Sequence, residues 1–301
     1  MEKRKSRYEK YKLGRIDLIN LLAGMGAGPT SDFALFPLDS MKTRLQASKG
    51  SVKVAKNSKL FLGFGIAMVG SSLTYGAHWM IYEWFKRHLV PLTNGNEAIV
   101  PFVYMGSAAM AQLLSSGIRS PFEVIKQHLQ VGIFFNTKYA IKSIYRSGGI
   151  GAFYAGYVGL LYKNIPYDAI EMTLYEMFRK GYMKARGIKS MDDMSLWENM
   201  GVGFVSSGIA SFVTTPMDVV KTRMMLSASE RGQQKLSVMQ MFSKVYRVGT
   251  RIVDHVQEEG FRALFSGAVT RVVLVSTAGA VYFGAFEAYR KRMREAWMED
   301  M

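Results

Sequence analysis

Six ionisable side chains stand in or at the edge of otherwise apolar stretches of this 301-residue chain: Asp32, Arg119, Lys163, Asp168, Glu171 and Arg271. An uncompensated charge at membrane depth costs roughly 2.5–3.5 kcal/mol or more, so such residues are functional candidates by default. An acid (Asp32) with two bases (Arg119 and Lys163) suits a zwitterionic solute. Tyr75, Trp79 and Tyr167 fall at helical spacing from Ser71 and Lys163, and their faces attract cations and stack on planar bases. Asn164 adds a neutral polar group beside Lys163. Bond-making chemistry has no comparable support. Cysteine is absent, the four histidines form no ligand-spaced cluster, and no nucleophile–base set or phosphate-cradling glycine loop is present. The expected chemistry is recognition, with no enzyme activity, metal or cofactor.

The elements that position these residues are membrane helices. Leu60–Tyr82, Ala98–Ile118 and Asn199–Met217 carry no Asp, Glu, Lys or Arg, and a bilayer needs about 20 helical residues to cross. Leu18–Phe36, Ile150–Tyr175 and Ala263–Phe286 are similar but hold the internal charges. Six spans put both termini on one side. The net charge of +16 first suggests nucleic acid. Its bases fall at span boundaries, however, and no reader motif accompanies them. The loops 41–59, 123–149 and 218–262 together carry +12, against +5 on the other side. The positive-inside bias places the +12 side in the cytoplasm-equivalent compartment, the matrix in a mitochondrion, with the termini outside. Met1–Lys12 is basic, includes Glu2 and Glu9, and lacks an apolar core, which reads as a solvated arm rather than a cleavable signal.

Self-similarity sets the architecture. The odd spans end in Pro37-Leu-Asp-Ser-Met-Lys, Pro121-Phe-Glu-Val-Ile-Lys and Pro216-Met-Asp-Val-Val-Lys. The even spans end in Tyr82-Glu-Trp-Phe-Lys, Tyr175-Glu-Met-Phe-Arg and Phe286-Glu-Ala-Tyr-Arg. The expected fold is an all-α membrane protein of six transmembrane helices in three tandem helix-hairpin repeats (1–97, 98–194 and 195–301), with pseudo-threefold symmetry around a central cavity. Proline within a helix removes a hydrogen bond and bends it, and an acid and base three residues apart share a face. Around a threefold axis the acids meet neighbouring bases. The expected pairs are Asp39–Lys126, Glu123–Lys221 and Asp218–Lys42 at one end, and Glu83–Arg179, Glu176–Arg290 and Glu287–Lys86 at the other. Two rings make two gates, and alternate opening gives access to a midplane site.

On these motifs the chain resembles the mitochondrial carrier family of the inner membrane. The resemblance implies that the two rings are matrix and cytoplasmic salt-bridge networks. Gln46 and Gln130 would brace the first and Tyr82 and Tyr175 the second, while Met225 and Phe286 depart from the pattern. It also implies cardiolipin at the glycines before the even helices, including Gly148–Gly149, and a monomer. Ser31-Asp-Phe-Ala-Leu-Phe-Pro through Gln46, Gly70-Ser71 and Ile118-Arg-Ser-Pro are similar to the S-adenosylmethionine carriers, which import S-adenosylmethionine in exchange for S-adenosylhomocysteine. That similarity implies Asp32 for the substrate's cationic group and Arg119 for its carboxylate or for the electrostatics of the cavity. Arg271 stands either at the start of the sixth helix near lipid phosphates or on the cavity wall, where those carriers have an arginine.

Lys163-Asn164 replaces the Arg-Glu of those carriers. Glu171, about 80° around the helix from Lys163, is the acid expected to compensate, while Asp168, about 140° off, is expected to face a neighbouring helix. Asn164-Ile-Pro-Tyr167 also resembles the iron carriers, whose methionine and histidine are replaced here by Lys163 and Glu171. Another zwitterionic or cationic metabolite, iron, or a non-transporting membrane adaptor are the alternatives.

Overall fold

The computed structural model describes the backbone of residues 2–49, 61–94, 96–154, 157–188, 193–230, 265 and 268–299; within these, the side chains of residues 2–15, 38, 42–49, 158, 159, 163, 218–230, 270 and 297–299 are not described. The described residues form seven α-helices and no strand: α1 (Glu2–Lys49), α2 (Phe64–Leu89), α3 (Val100–Val131), the short α4 (Thr137–Gly148), α5 (Tyr157–Arg186), α6 (Leu196–Glu230) and α7 (Ala268–Glu299). Even the shortest of the six long helices, α2 with 26 residues, reaches about 39 Å at 1.5 Å per residue, more than a bilayer core needs.

Among the described residues, Leu196–Met217 and Arg271–Ala296 are apolar enough to cross a membrane on composition alone. They lie in α6 and α7. The other long helices carry polar stripes or internal charges, which lower their hydropathy without shortening them.

The long helices pack in chain order, α1 on α2, α2 on α3, α3 on α5, α5 on α6 and α6 on α7, and α7 closes the ring on α1. Glycines allow the closest approaches. A Cβ on Gly24 would lie 2.5 Å from the carbonyl oxygen of Tyr75, and one on Gly203 would lie 2.9 Å from that of Gly279. The helices run through their prolines, Pro29 and Pro37 in α1, Pro121 in α3, Pro166 in α5 and Pro216 in α6. Asn136 caps α4 by accepting from the backbone of Lys138 and Tyr139. Ser120 of α3 donates to the carbonyl of Phe153, fixing the turn that leads into α5.

Candidate functional site

A polar stripe at positions i, i+3, i+4 and i+7 recurs on the inner faces of the bundle. On α2 it is Ser71, Thr74, Tyr75 and His78, and on α5 it is Asn164, Tyr167, Asp168 and Glu171; α7 presents Val275, Ala278, Gly279 and Tyr282 at the same spacing, of which Tyr282 alone is polar. Such spacing keeps one helix face toward one space. With Gln112, Ser115 and Arg119 of α3, these stripes bound a cavity of about 170 Å³. A smaller adjoining pocket is lined by Asp32, Ser71, Arg119, Glu123 and Lys126. Arg119, Thr74 and Tyr75 face both spaces.

The acids within this interior are held differently. Asp32 accepts the Ser71 hydroxyl. Glu171 accepts from Tyr167, at 2.6 Å, and from Ser207 of α6. Asp168 Oδ2 lies 3.5 Å from His78 Nε2, and neither atom has a hydrogen-bond partner among the described residues. Arg119 sits 3.9 Å from Glu123 and its guanidinium lies 5.9 Å from the Tyr75 ring centre.

Three sequence expectations are corrected here. Asp168 lines the cavity together with Glu171 instead of facing a neighbouring helix, because the α5 stripe is centred on Asn164 and Tyr167, not on Lys163. Trp79 is not on the cavity wall. It lies one turn beyond Tyr75, 1% exposed, stacked on Phe286 at 3.6 Å, with its indole N–H donated to the Tyr282 hydroxyl at 2.7 Å. Arg271 does not line either cavity. Its guanidinium donates to the Ser211 carbonyl at 2.8 Å and to Thr214 and Thr215, which ties α7 to α6. The side chain of Lys163 lies outside the described residues. Sequence reasoning passed over His78, Gln112, Ser115 and Tyr282 as cavity residues, and the polar spacing of i, i+3 and i+7 on α2 and α3 is the signal that finds His78, Gln112 and Ser115.

One end of the cavity is shut. Trp79, Met172 and Phe283 form a buried layer, and Tyr82, Tyr175 and Phe286 a second. Tyr175 stacks on Phe283 at 3.9 Å. Beyond them Lys86 bridges Glu176 at 2.6 Å and Glu83 of its own helix, while Glu287 binds Arg179 and Arg290, each at 2.6 Å. The three bases lie 5.1, 5.7 and 5.5 Å from the rings one turn before them, Tyr82, Tyr175 and Phe286. Thus Phe286 keeps the cation–π contact although it has no hydroxyl. Tyr175 donates to Glu287 at 3.3 Å, whereas the buried Tyr82 hydroxyl has no partner among the described residues.

The interhelical pairs here run opposite to expectation: Lys86–Glu176 and Arg179–Glu287, not Glu83–Arg179 and Glu287–Lys86. An acid and the base three residues later lie about 60° apart around a helix. Seen from one side of the membrane, that step turns one way on the odd helices and the other way on the antiparallel even helices. A pairing rule taken from the odd helices therefore inverts.

At the other end Lys126 bridges Asp39 at 2.6 Å, and Gln130 donates to Asp39 and Ser40, each at 3.2 Å. Gln127 donates to Glu123 at 2.9 Å. Lys42, Gln46, Asp218 and Lys221 have side chains outside the described residues. Asp39 is 42% exposed here, against 5% for Glu287 in the opposite ring; the even-helix end is the dry one.

The sequence matches the mitochondrial carrier protein family over residues 17–92, 98–186 and 192–296. Among individual proteins it is 31% identical over 274 residues to the mitochondrial S-adenosylmethionine carrier protein of Xenopus laevis, covering 91% of this chain and 97% of that protein. It is 32% identical to S-adenosylmethionine carrier 1, chloroplastic/mitochondrial, of Arabidopsis thaliana, over 91% of this chain and 78% of that protein. The S-adenosylmethionine mitochondrial carrier protein homolog of Drosophila melanogaster is 31% identical, over 89% of this chain and 90% of its own length.

Proposed function

Because the chain belongs to the mitochondrial carrier family, whose members are transporters and not enzymes, we propose that it carries S-adenosylmethionine across the mitochondrial inner membrane. The carrier imports S-adenosylmethionine into the matrix and returns S-adenosylhomocysteine. The observation that supports this most is the pairing of unlike charges across one aromatic-walled interior. Asp32 with Ser71 lies on one side and Arg119 on the other, with Tyr75 between the two spaces they face. A substrate with a sulfonium, an amino-acid head and a planar purine has matching parts. Asp32 attracts the sulfonium, Arg119 the carboxylate, and Tyr75 or Tyr167 offers a ring to the purine. The similarity of nine-tenths of the chain to S-adenosylmethionine carriers adds to that reading.

Transport proceeds by alternation between the two rings. The dry ring around Glu287 faces the intermembrane space, as do both termini, and the ring around Asp39 faces the matrix. The protein works as a monomer, with cardiolipin held at the backbone around Gly148 and Gly149.

Purified protein in detergent should melt several degrees higher with S-adenosylmethionine or S-adenosylhomocysteine, and not with adenosine or methionine alone. Asp32→Asn should remove the S-adenosylmethionine shift while leaving the ligand-free melting intact. An unshifted wild type contradicts the substrate; a wild-type shift in Asp32→Asn removes Asp32 from the site.

A further inference from the structure

Resting on that substrate class, we infer that Asp168 and His78 form a subsite for the substrate's α-ammonium group, distinct from the Asp32 pocket. The three acids of the interior differ in what already satisfies them. Asp32 holds the Ser71 hydroxyl and shares its pocket with Lys126 and Arg119. Glu171 holds the Tyr167 and Ser207 hydroxyls, so its charge is committed to joining α5 to α6. Asp168 keeps a buried carboxylate oxygen with no hydrogen bond among the described residues, on the wall of the larger cavity. Buried polar atoms are nearly always satisfied, and an unsatisfied carboxylate oxygen is costly.

The second orphan is 3.5 Å away. His78 Nε2 is buried, the residue being 3% exposed, and it also lacks a partner. At that separation the two atoms are too far apart for a good direct bond. Their spacing leaves both free to converge on one donor entering from the cavity. Ser115 Oγ lies 3.4 Å from His78 Nδ1, and the tautomer that places the proton there turns the Nε2 lone pair outward. A carboxylate oxygen and an imidazole lone pair side by side are an acceptor pair. An ammonium with three donors matches it; a carboxylate or a second acceptor does not.

The charges around the pair fix the substrate's direction. Arg119 on α3 lines the same cavity as His78 and Asp168. Glu171 lies one turn along α5 from Asp168, and the hydroxyls of Tyr75 and Tyr282 stand on α2 and α7. With Arg119 on the carboxylate and Asp168–His78 on the ammonium, an amino-acid head is gripped at both ends. The sulfonium and purine are then left to the Asp32 side. S-adenosylmethionine and S-adenosylhomocysteine share this head, which accounts for one cavity serving both.

The test uses the full chain in liposomes exchanging labelled S-adenosylmethionine. Two inhibitors are compared: S-adenosylhomocysteine and its des-amino analogue, 4-(5′-adenosylthio)butanoate. Wild type should prefer the amine-bearing inhibitor by tenfold or more, the loss expected for one charged hydrogen bond. Asp168→Asn should bring that ratio to within about twofold, and His78→Gln should lower it by a smaller factor. If a variant no longer exchanges, the same ratio is read from ligand-induced melting shifts of the purified protein. Wild type inhibited equally by both compounds, or Asp168→Asn keeping the full ratio, overturns the subsite while the substrate reading stands. Wild type that takes up no S-adenosylmethionine overturns both.

Discussion

Tyr282 marks the depth at which binding surface gives way to packing. Its ring lies 4.8 Å from that of Tyr75, on the cavity wall, while its hydroxyl accepts the indole N–H of Trp79, which is sealed beneath. Trp79→Phe removes that hydrogen bond but keeps most of the stacked area on Phe286. It should lower stability by about 1 kcal/mol and change the apparent affinity for S-adenosylmethionine less than twofold, measured by thermal melting and by uptake kinetics. A large loss of affinity at unchanged stability would return Trp79 to the wall. The residue type was legible in the sequence, since Trp79 follows Tyr75 by four positions on the same stripe. Its depth was not: four residues add about 6 Å along the axis, and only the layer formed with Met172 and Phe283 shows that the cavity has ended by then.

At the scale of helices, the direction of the salt-bridge ring follows from strand sense along the bundle axis, and that direction is measurable. In a double-mutant cycle, Arg179→Ala with Glu287→Ala should show a coupling energy of about 1–3 kcal/mol in melting experiments, because the pair is 2.6 Å apart and buried. Arg179→Ala with Glu83→Ala should be additive within about 0.5 kcal/mol. The reverse result would restore the pairing that the odd helices suggested. Helix contact gives a second expectation. Gly24→Ala puts a methyl group 2.5 Å from the Tyr75 carbonyl oxygen, so α1 and α2 must separate, at a cost of about 1–3 kcal/mol. Unchanged melting would mean that the two helices are not so tightly apposed. The repeated Pro-x-Asp/Glu and aromatic-Glu strings revealed which residues belong to each ring. Which partner each one meets needed the antiparallel geometry, which no single string contains.

For the whole molecule, the plan of six long helices in three repeats was the most legible feature, because it depends on patterns over long segments instead of single contacts. From the surplus of bases on the loops 41–59, 123–149 and 218–262 we propose that these loops lie on the matrix side. The absence of cysteine makes this directly testable. Glu97→Cys, in the exposed loop after α2, should react with an impermeant maleimide in mitochondria stripped of their outer membrane; Lys142→Cys, exposed on α4, should react only after the inner membrane is permeabilised. The opposite pattern would invert the orientation. Substrate choice was less legible, since the interior draws its polar groups from α1, α2, α3, α5 and α7, and residues such as His78 and Asp168 are unremarkable until the ring brings them together. The most direct test of the central claim is uptake of labelled S-adenosylmethionine into liposomes holding the purified carrier and internal S-adenosylmethionine. Rapid uptake that requires the protein and is suppressed by external S-adenosylhomocysteine is the expected result; uptake no faster than in protein-free liposomes, beside robust exchange of another metabolite, would contradict it.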